Sequence, residues 1–344
     1  MAIDNLSTNL DQLFAASTAD RTSFRSADVR ALQHFYAETA LTLGPLALVP
    51  VIQQLTLPNA WYDPALMHLA LAVSTAHQQR LHCRSNDHSV LSSLRLSAAH
   101  HWQSALAIQR TQLAKTDASQ NLGISVLKLS LIVIFTFALD DVLPVNTFLD
   151  GNAEMINHAI APLAACNGFR AFKPSSDRLI ALDQGSPAAS VLTSADDSDH
   201  TFTDVQPGVE GLPPTFVKLC DLDSNSTCEN NVYHKIVRLL TPLLRLTPSP
   251  NNFVRLMAFG GRIWLDIQPL LQRRDHAALL LVAYWLALLR QVNQWWILTR
   301  ARTACDAIVN YLLQNSTDTL LHSVLLFPAT FGQQGVDRVW VSGR

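Results

Sequence analysis

Apolar residues recur along most of this chain every three or four positions, the spacing that aligns them on one face of an α-helix. The first such run covers about 26–49. Ser26 is placed to cap it, and Val29, Leu32, Phe35 and Tyr36 fall on one face. Pro45 and Pro50 then break or bend the pattern. A sharp start follows. Asp63 is a good N-cap and Pro64 a good first helical residue, because that position needs no N–H donor. Leu66, Leu69, Ala70, Val73 and Ala76 then keep helical spacing to about Leu81.

The next run spans 89–113, with Leu94, Ala98, Trp102, Ala105 and Ile108 on one face. Asn121 is placed to cap a helix over 122–139 that is apolar on nearly all sides. Such a helix belongs in the middle of a helical stack. A further helix is expected over 145–165. Helical patterns return over 231–246, 251–272, 275–291, 294–314 and 318–327, the last stopping at Pro328. Strand-type alternation is scarce, and no repeat of fixed period is visible.

Between these runs, from about 167 to 230, the chain changes character. SADDSD, TDVQPG, GLPP and DLDSNST are rich in Ser, Asp, Pro and Gly. That composition predicts a long, largely disordered insertion with room for a short helix or two. The expected fold is all-α: an irregular multi-helix array with one core, split in sequence by this insertion. Residues 1–25 read as a flexible N-terminal segment, 26–166 as the first helical half, 231–328 as the second half of the same domain, and 329–344 as a tail.

Composition agrees with a large helical core. The chain has 344 residues, 49% of them apolar and only 15% charged, against a usual charged share of about 25%. Net charge is −2. The basic residues are scattered, and the best pair, Arg273-Arg274, is followed by Asp275. Direct nucleic-acid contact is not expected from such a surface. The apolar stretches 124–139 and 277–289 fall short of the ~17–25 residues that a membrane span needs, and the first contains Lys128. They read as buried helices. The N-terminus lacks the basic run and apolar block of a secretory signal. Cys83, Cys166, Cys220, Cys228 and Cys305 are far apart and odd in number, and read as reduced thiols.

Several segments carry a resemblance. Pro64-Ala-Leu-Met-His-Leu-Ala-Leu-Ala-Val-Ser-Thr-Ala-His77 and Ala99-His-His-Trp-Gln-Ser-Ala-Leu106 come first. Asn121-Leu122 opens the hydrophobic helix, and Phe148-Leu-Asp-Gly-Asn-Ala-Glu154 follows it. Ala283-Tyr-Trp-Leu-Ala-Leu-Leu289 and the pair Trp295-Trp296 come late in the chain. In order and spacing these segments resemble the C-terminal effector domain of fungal zinc-cluster transcription factors, of the sterol-uptake-regulator type. The resemblance implies a nuclear regulator of transcription, tied to a metabolic gene cluster, whose helical domain holds an apolar small molecule or a protein partner, a second copy of the chain included. It departs from the family at one point. The zinc-binding C-x-x-C-x6-C run is missing, and the first cysteine is Cys83, within the helical region. No zinc-cluster DNA reader can be built from these residues.

Candidate chemistry is sparse. Asp140-Asp141 closes an apolar helix, but no carboxylate stands one turn further on, and a solvated helix end is the simpler reading. His77 and His82 are five apart and lie off a common face. His68, His100 and His101 read as packed histidines. No nucleophile elbow, phosphate-cradling loop or dinucleotide fingerprint is present, and no cofactor, metal or catalytic residue is expected. Gly260-Gly261 reads as a packing or bend site between helices. Trp264, Trp285, Trp295 and Trp296 crowd one third of the chain. Plain core packing accounts for them, and a pocket between helices is the sharper reading. Its hypothetical walls are Met67, Phe135, Trp285 and Trp296. The alternative function is a cyclase or isomerase of secondary metabolism that works by cavity shape in the same fold.

Overall fold

A computed structural model describes residues 26–44, 49–83, 87–114, 122–139, 163, 166, 202, 206–247, 249, 252–292 and 294–330. The described residues contain helices and turns and no strand. Apart from Leu163, the expected helix over 145–165, with the Asn121 cap, Asp140-Asp141 and most of 167–205, lies outside them.

The first half opens with α1 (Ser26–His34), which continues into a π-turn (Phe35–Thr39) and a 3₁₀-turn (Ala40–Thr42). The Ala40 N–H reaches back to the Phe35 carbonyl, the widened bond of a π-bulge. Next come α2 (Val49–Ala60), α3 (Pro64–His82), α4 (His88–Ala114) and α5 (Leu122–Ala138). Helix α2 departs from the expected break at Pro50. Pro50 sits in the first turn, where its missing N–H costs nothing, so it starts a helix instead of ending one.

Helix α3 begins as expected. The Asp63 carboxylate accepts from the N–H groups of Ala65 and Leu66, and Pro64 fills the first turn. The same carboxylate takes Lys128 Nζ of α5 at 2.8 Å, and Gln112 of α4 sends its amide to Asp63 and its oxygen to Lys128. One side chain thus caps α3 and neutralises the single cation inside the apolar run of α5. Lys128 is 3% exposed. Burial alone would raise the Asp63 carboxyl, but the hydrogen bonds from Lys128 and Leu66 outweigh it and hold the group below its ordinary value.

The second half contains α6 (Pro214–Leu219), α7 (Val232–Leu244), α8 (Phe253–Gln272), α9 (His276–Gln291) and α10 (Trp295–Asn315), followed by α11 (Thr319–Val324) and α12 (Leu326–Thr330). Every residue of α9 from Ala278 to Leu289 is buried. Helices α7, α8, α10 and α12 pack around it. In the first half α3 has the same central place, with α1, α2, α4 and α5 around it. The halves meet where α10 packs on α5 and α3, and buried residues from both belong to one contiguous cluster. Among the described residues no helix is long and apolar enough to cross a membrane.

Two expectations need correction. Residues 206–230, assigned to the disordered insertion, are ordered, because their polar side chains bond the local backbone and their few apolar ones reach the core. Leu212, Phe216, Cys220 and Leu222 are buried. Gly208 and Gly211 hold φ of 81° and 76°, the left-handed region that glycine enters freely. Asp223, Asn230, Asn231 and Arg238 tie the turns together by side-chain bonds to the main chain. Gly260-Gly261 lies inside α8 rather than between helices. A Cβ on Gly260 would come within 3.0 Å of the Trp285 ring, so the glycine lets α8 approach α9 closely.

Replacing Asp63 by Ala removes the α3 cap and leaves Lys128 buried without its carboxylate. Orphaning one member of a buried pair costs about 3–5 kcal/mol. Urea denaturation should show a loss of that size for Asp63→Ala and a smaller one for Asp87→Ala, which caps the exposed start of α4 by the same geometry and holds no buried cation.

Candidate functional site

The four residues expected to wall a pocket come from four helices: Met67 from α3, Phe135 from α5, Trp285 from α9 and Trp296 from α10. All are buried in the one core cluster. Their ring neighbours differ. Phe135 stacks on Trp102, with centroids 4.6 Å apart. Trp285 lies against Phe259 and gives its indole N–H to the Leu256 carbonyl at 2.6 Å. Trp296 is flanked by Phe137 of α5 and Phe253 of α8, both edge-to-face at about 6 Å. The four share a core, and the structure gathers the pair Phe137 and Phe253 around Trp296, which the sequence did not indicate.

Trp296 has a feature that Trp285 and Trp295 lack. Its ring is 2% exposed, and its indole N–H meets no acceptor. A buried donor left unpaired costs about 1–3 kcal/mol. Trp295, its neighbour in the chain, is satisfied: its N–H reaches Thr42 Oγ1 at 2.9 Å, and Thr42 in turn donates to the Thr39 carbonyl.

Around Trp295 stands a group of buried polar rings. His77 stacks on the Trp295 indole at 4.7 Å and bonds Thr39 Oγ1 through Nδ1 at 3.1 Å. His34 lies 5.1 Å from His77, and Glu38 faces His34 one helical turn on. Thr39 is the last residue of the π-turn. Burial, reinforced by the nearby His34, pushes the His77 imidazole down to about 4, against the pull of Glu38. Burial likewise lowers His34.

A second chain of rings joins α1, α3 and α4. His101 Nε2 lies 3.4 Å from an Asp28 oxygen, and His101 Nδ1 lies 3.0 Å from His68 Nδ1. His100 packs edge-on against His68. One proton per ring satisfies the line: His101 donates to Asp28 from Nε2 and accepts from His68 at Nδ1. Burial takes His101 down to about 4 despite Asp28, and His68 and His100 add to the lowering. Burial and His100 also lower His68. Of the three histidines read from sequence as packed or capped, His68 and His101 are packed and hydrogen-bonded, and His100 is exposed beside them. Among the described residues no group of three or more His, Cys, Asp or Glu is arranged to hold a metal ion.

The sequence displayed Trp295-Trp296 as a pair but gave no sign of the partners Thr42, Thr39 and His77, which lie more than 200 residues away. Asp28 stands in the first turn of α1. No local spacing links it to His101.

No protein-family model, curated protein or solved structure matches the chain.

The lowered histidines set a pH dependence. Their folded values lie below the unfolded value of 6.5. Between about 6.5 and 4 the unfolded chain therefore holds more protons than the folded one, and stability falls as pH drops through that window. The thermal midpoint should be a few degrees lower at pH 5 than at pH 7.5. The slope should flatten when His77 and His101 are both replaced by Phe. An unchanged midpoint would mean that these rings are hydrated.

Proposed function

We propose that this chain is a regulatory binding domain that takes an apolar small molecule bearing one hydrogen-bond acceptor, seated against Trp296. The unpartnered Trp296 N–H carries this reading. It sits in an apolar aromatic setting supplied by both halves of the chain, from Phe137 on one side and Phe253 on the other. A hydroxyl or carbonyl oxygen on the ligand would satisfy the donor, and a hydrocarbon body would match the rings. Selectivity for one acceptor follows, because a purely aliphatic ligand leaves the N–H unpaired.

The effector-domain resemblance supports the same reading and extends it. Fungal effector domains of the sterol-uptake-regulator type give the ligand class, a sterol or similar polycyclic, and the setting, transcription control in the nucleus through a partner. The sparse, scattered charge favours action through a ligand or protein over direct contact with nucleic acid. Ligand binding between α5, α8 and α10 would tighten the joint between the halves, which is how occupancy could be signalled to a partner.

Ergosterol carried in cyclodextrin tests the proposal. Tryptophan emission of the whole chain should change saturably. Trp296→Phe, which keeps the ring and loses the N–H, should weaken binding about tenfold, the equivalent of about 1.4 kcal/mol. A polycyclic ketone serves as the second probe. If neither ligand changes the emission, the proposal fails. Recovery of chemically altered ligand would replace the regulator by the cavity enzyme.

A further inference from the structure

The ordered segment 206–231 builds a thiol–imidazole pair away from the Trp296 site. Cys228 Sγ lies 3.6 Å from His234 Nδ1. His234 Nε2 lies 2.9 Å from the Gly208 carbonyl. A carbonyl oxygen only accepts, so Nε2 carries the ring proton and donates it. Nδ1 of the neutral ring then presents a lone pair to the thiol. This is the arrangement of an activated nucleophile: thiol, base, and a third group that fixes the base's tautomer.

The third group is itself firmly held. The Gly208 N–H donates to the Ser226 carbonyl at 2.8 Å. A Cβ on Gly208 would meet the Ser224 oxygen at 3.1 Å, and φ is 81°. Arg238 donates to the Gly208 carbonyl at 2.9 Å and to the Glu210 carbonyl at 2.8 Å. His234 is wholly buried, while Cys228 is partly exposed. The loop that carries Cys228 is cross-tied: Thr227 Oγ1 accepts from the N–H groups of Glu229 and Asn230, and the Asn230 amide donates to the Asn225 carbonyl. The base is thus sheltered and oriented, and the nucleophile is half-buried on a braced loop.

The other thiols differ. Burial pushes Cys166 and Cys305 up to about 12 and also raises Cys220. They remain protonated and enclosed. Cys83 is exposed and provides a comparison within the same molecule.

We infer that Cys228 is a nucleophilic thiol, with His234 as its base, that forms covalent adducts with α,β-unsaturated carbonyl compounds. The thiol proton passes to His234 Nδ1 as sulfur bonds to the β-carbon. The π-electron pair of the alkene moves to the α-carbon and its carbonyl. His234 then returns the proton to the α-carbon. No group leaves, and no oxidant is needed. A soft conjugated electrophile fits the pair because addition requires only a base that later acts as an acid, and His234 serves in both capacities.

N-ethylmaleimide is the probe, applied to the full chain at pH 6.5 with adducts located by peptide mass spectrometry. Cys228 should react at least about tenfold faster than Cys83, since His234 takes the thiol proton as sulfur attacks. In His234→Gln, which can still donate to Gly208 but cannot take the thiol proton, the ratio of the two rates should collapse toward unity while Cys83 is unaffected. If that variant loses its helical circular dichroism, the ratio in the native chain decides. A native Cys228 no faster than Cys83, or a ratio that survives in folded His234→Gln, overturns the inference and leaves the contact as a structural hydrogen bond.

Discussion

The fold depends on the first turn of α10 being packed into both halves of the chain at once. Trp295 reaches Thr42 and His77 of the first half. Trp296, the next residue, is wedged between Phe137 of α5 and Phe253 of α8. Adjacent residues on a helix point about 100° apart, so the pair serves two directions. Arg300, one turn further, reaches the carbonyl that ends α5. Each half has its own buried helix, α3 or α9, but neither of these spans the joint alone. Without the tryptophan pair, α5 would lose an apolar neighbour on a helix that is apolar nearly all round.

The joint is apolar at Trp296 and polar at Trp295, and the two faces act differently. Aromatic packing stabilises without regard to pH. The histidines beside Trp295 are neutral because they are buried, so the same contact weakens in acid. Lys128 shows the opposite solution to burial. Its charge is kept, and it is matched by a carboxylate already fixed as a helix cap. Lys128 and His77 each have a partner held in place by another element. The Trp296 indole N–H, set between the Phe137 and Phe253 rings without an acceptor, is the observation on which the proposed ligand site rests.

Much of the architecture was legible in the sequence because its signals are local. Asp63-Pro64 announces a helix start within three residues. The apolar character of α9 states its central position, whereas in the first half the centre is α3 and the more apolar α5 lies between α3 and α10. The reading failed where short-range composition and long-range packing disagree. Pro50 looked like a breaker and is a first-turn residue. Gly260-Gly261, read as a packing or bend site between helices, is a packing site within α8, in close approach to Trp285. The Ser-, Asp- and Gly-rich segment over 206–230 looked unstructured, yet its polar groups are spent on its own backbone. Of the expected pocket residues, Trp296 stands out for a reason the sequence cannot express, the absence of an acceptor. The histidine pairs join positions 33 and 38 residues apart, and no periodicity within one helix encodes them.

That the two halves form one cooperative body is open to direct test by hydrogen exchange of the whole chain across a series of urea concentrations. Amides of α3 and of α9 should lose protection at the same urea midpoint and with the same slope, because the α10 joint couples their opening. Protection that persists in α9 at urea concentrations where α3 exchanges freely would show two independent units and contradict the account.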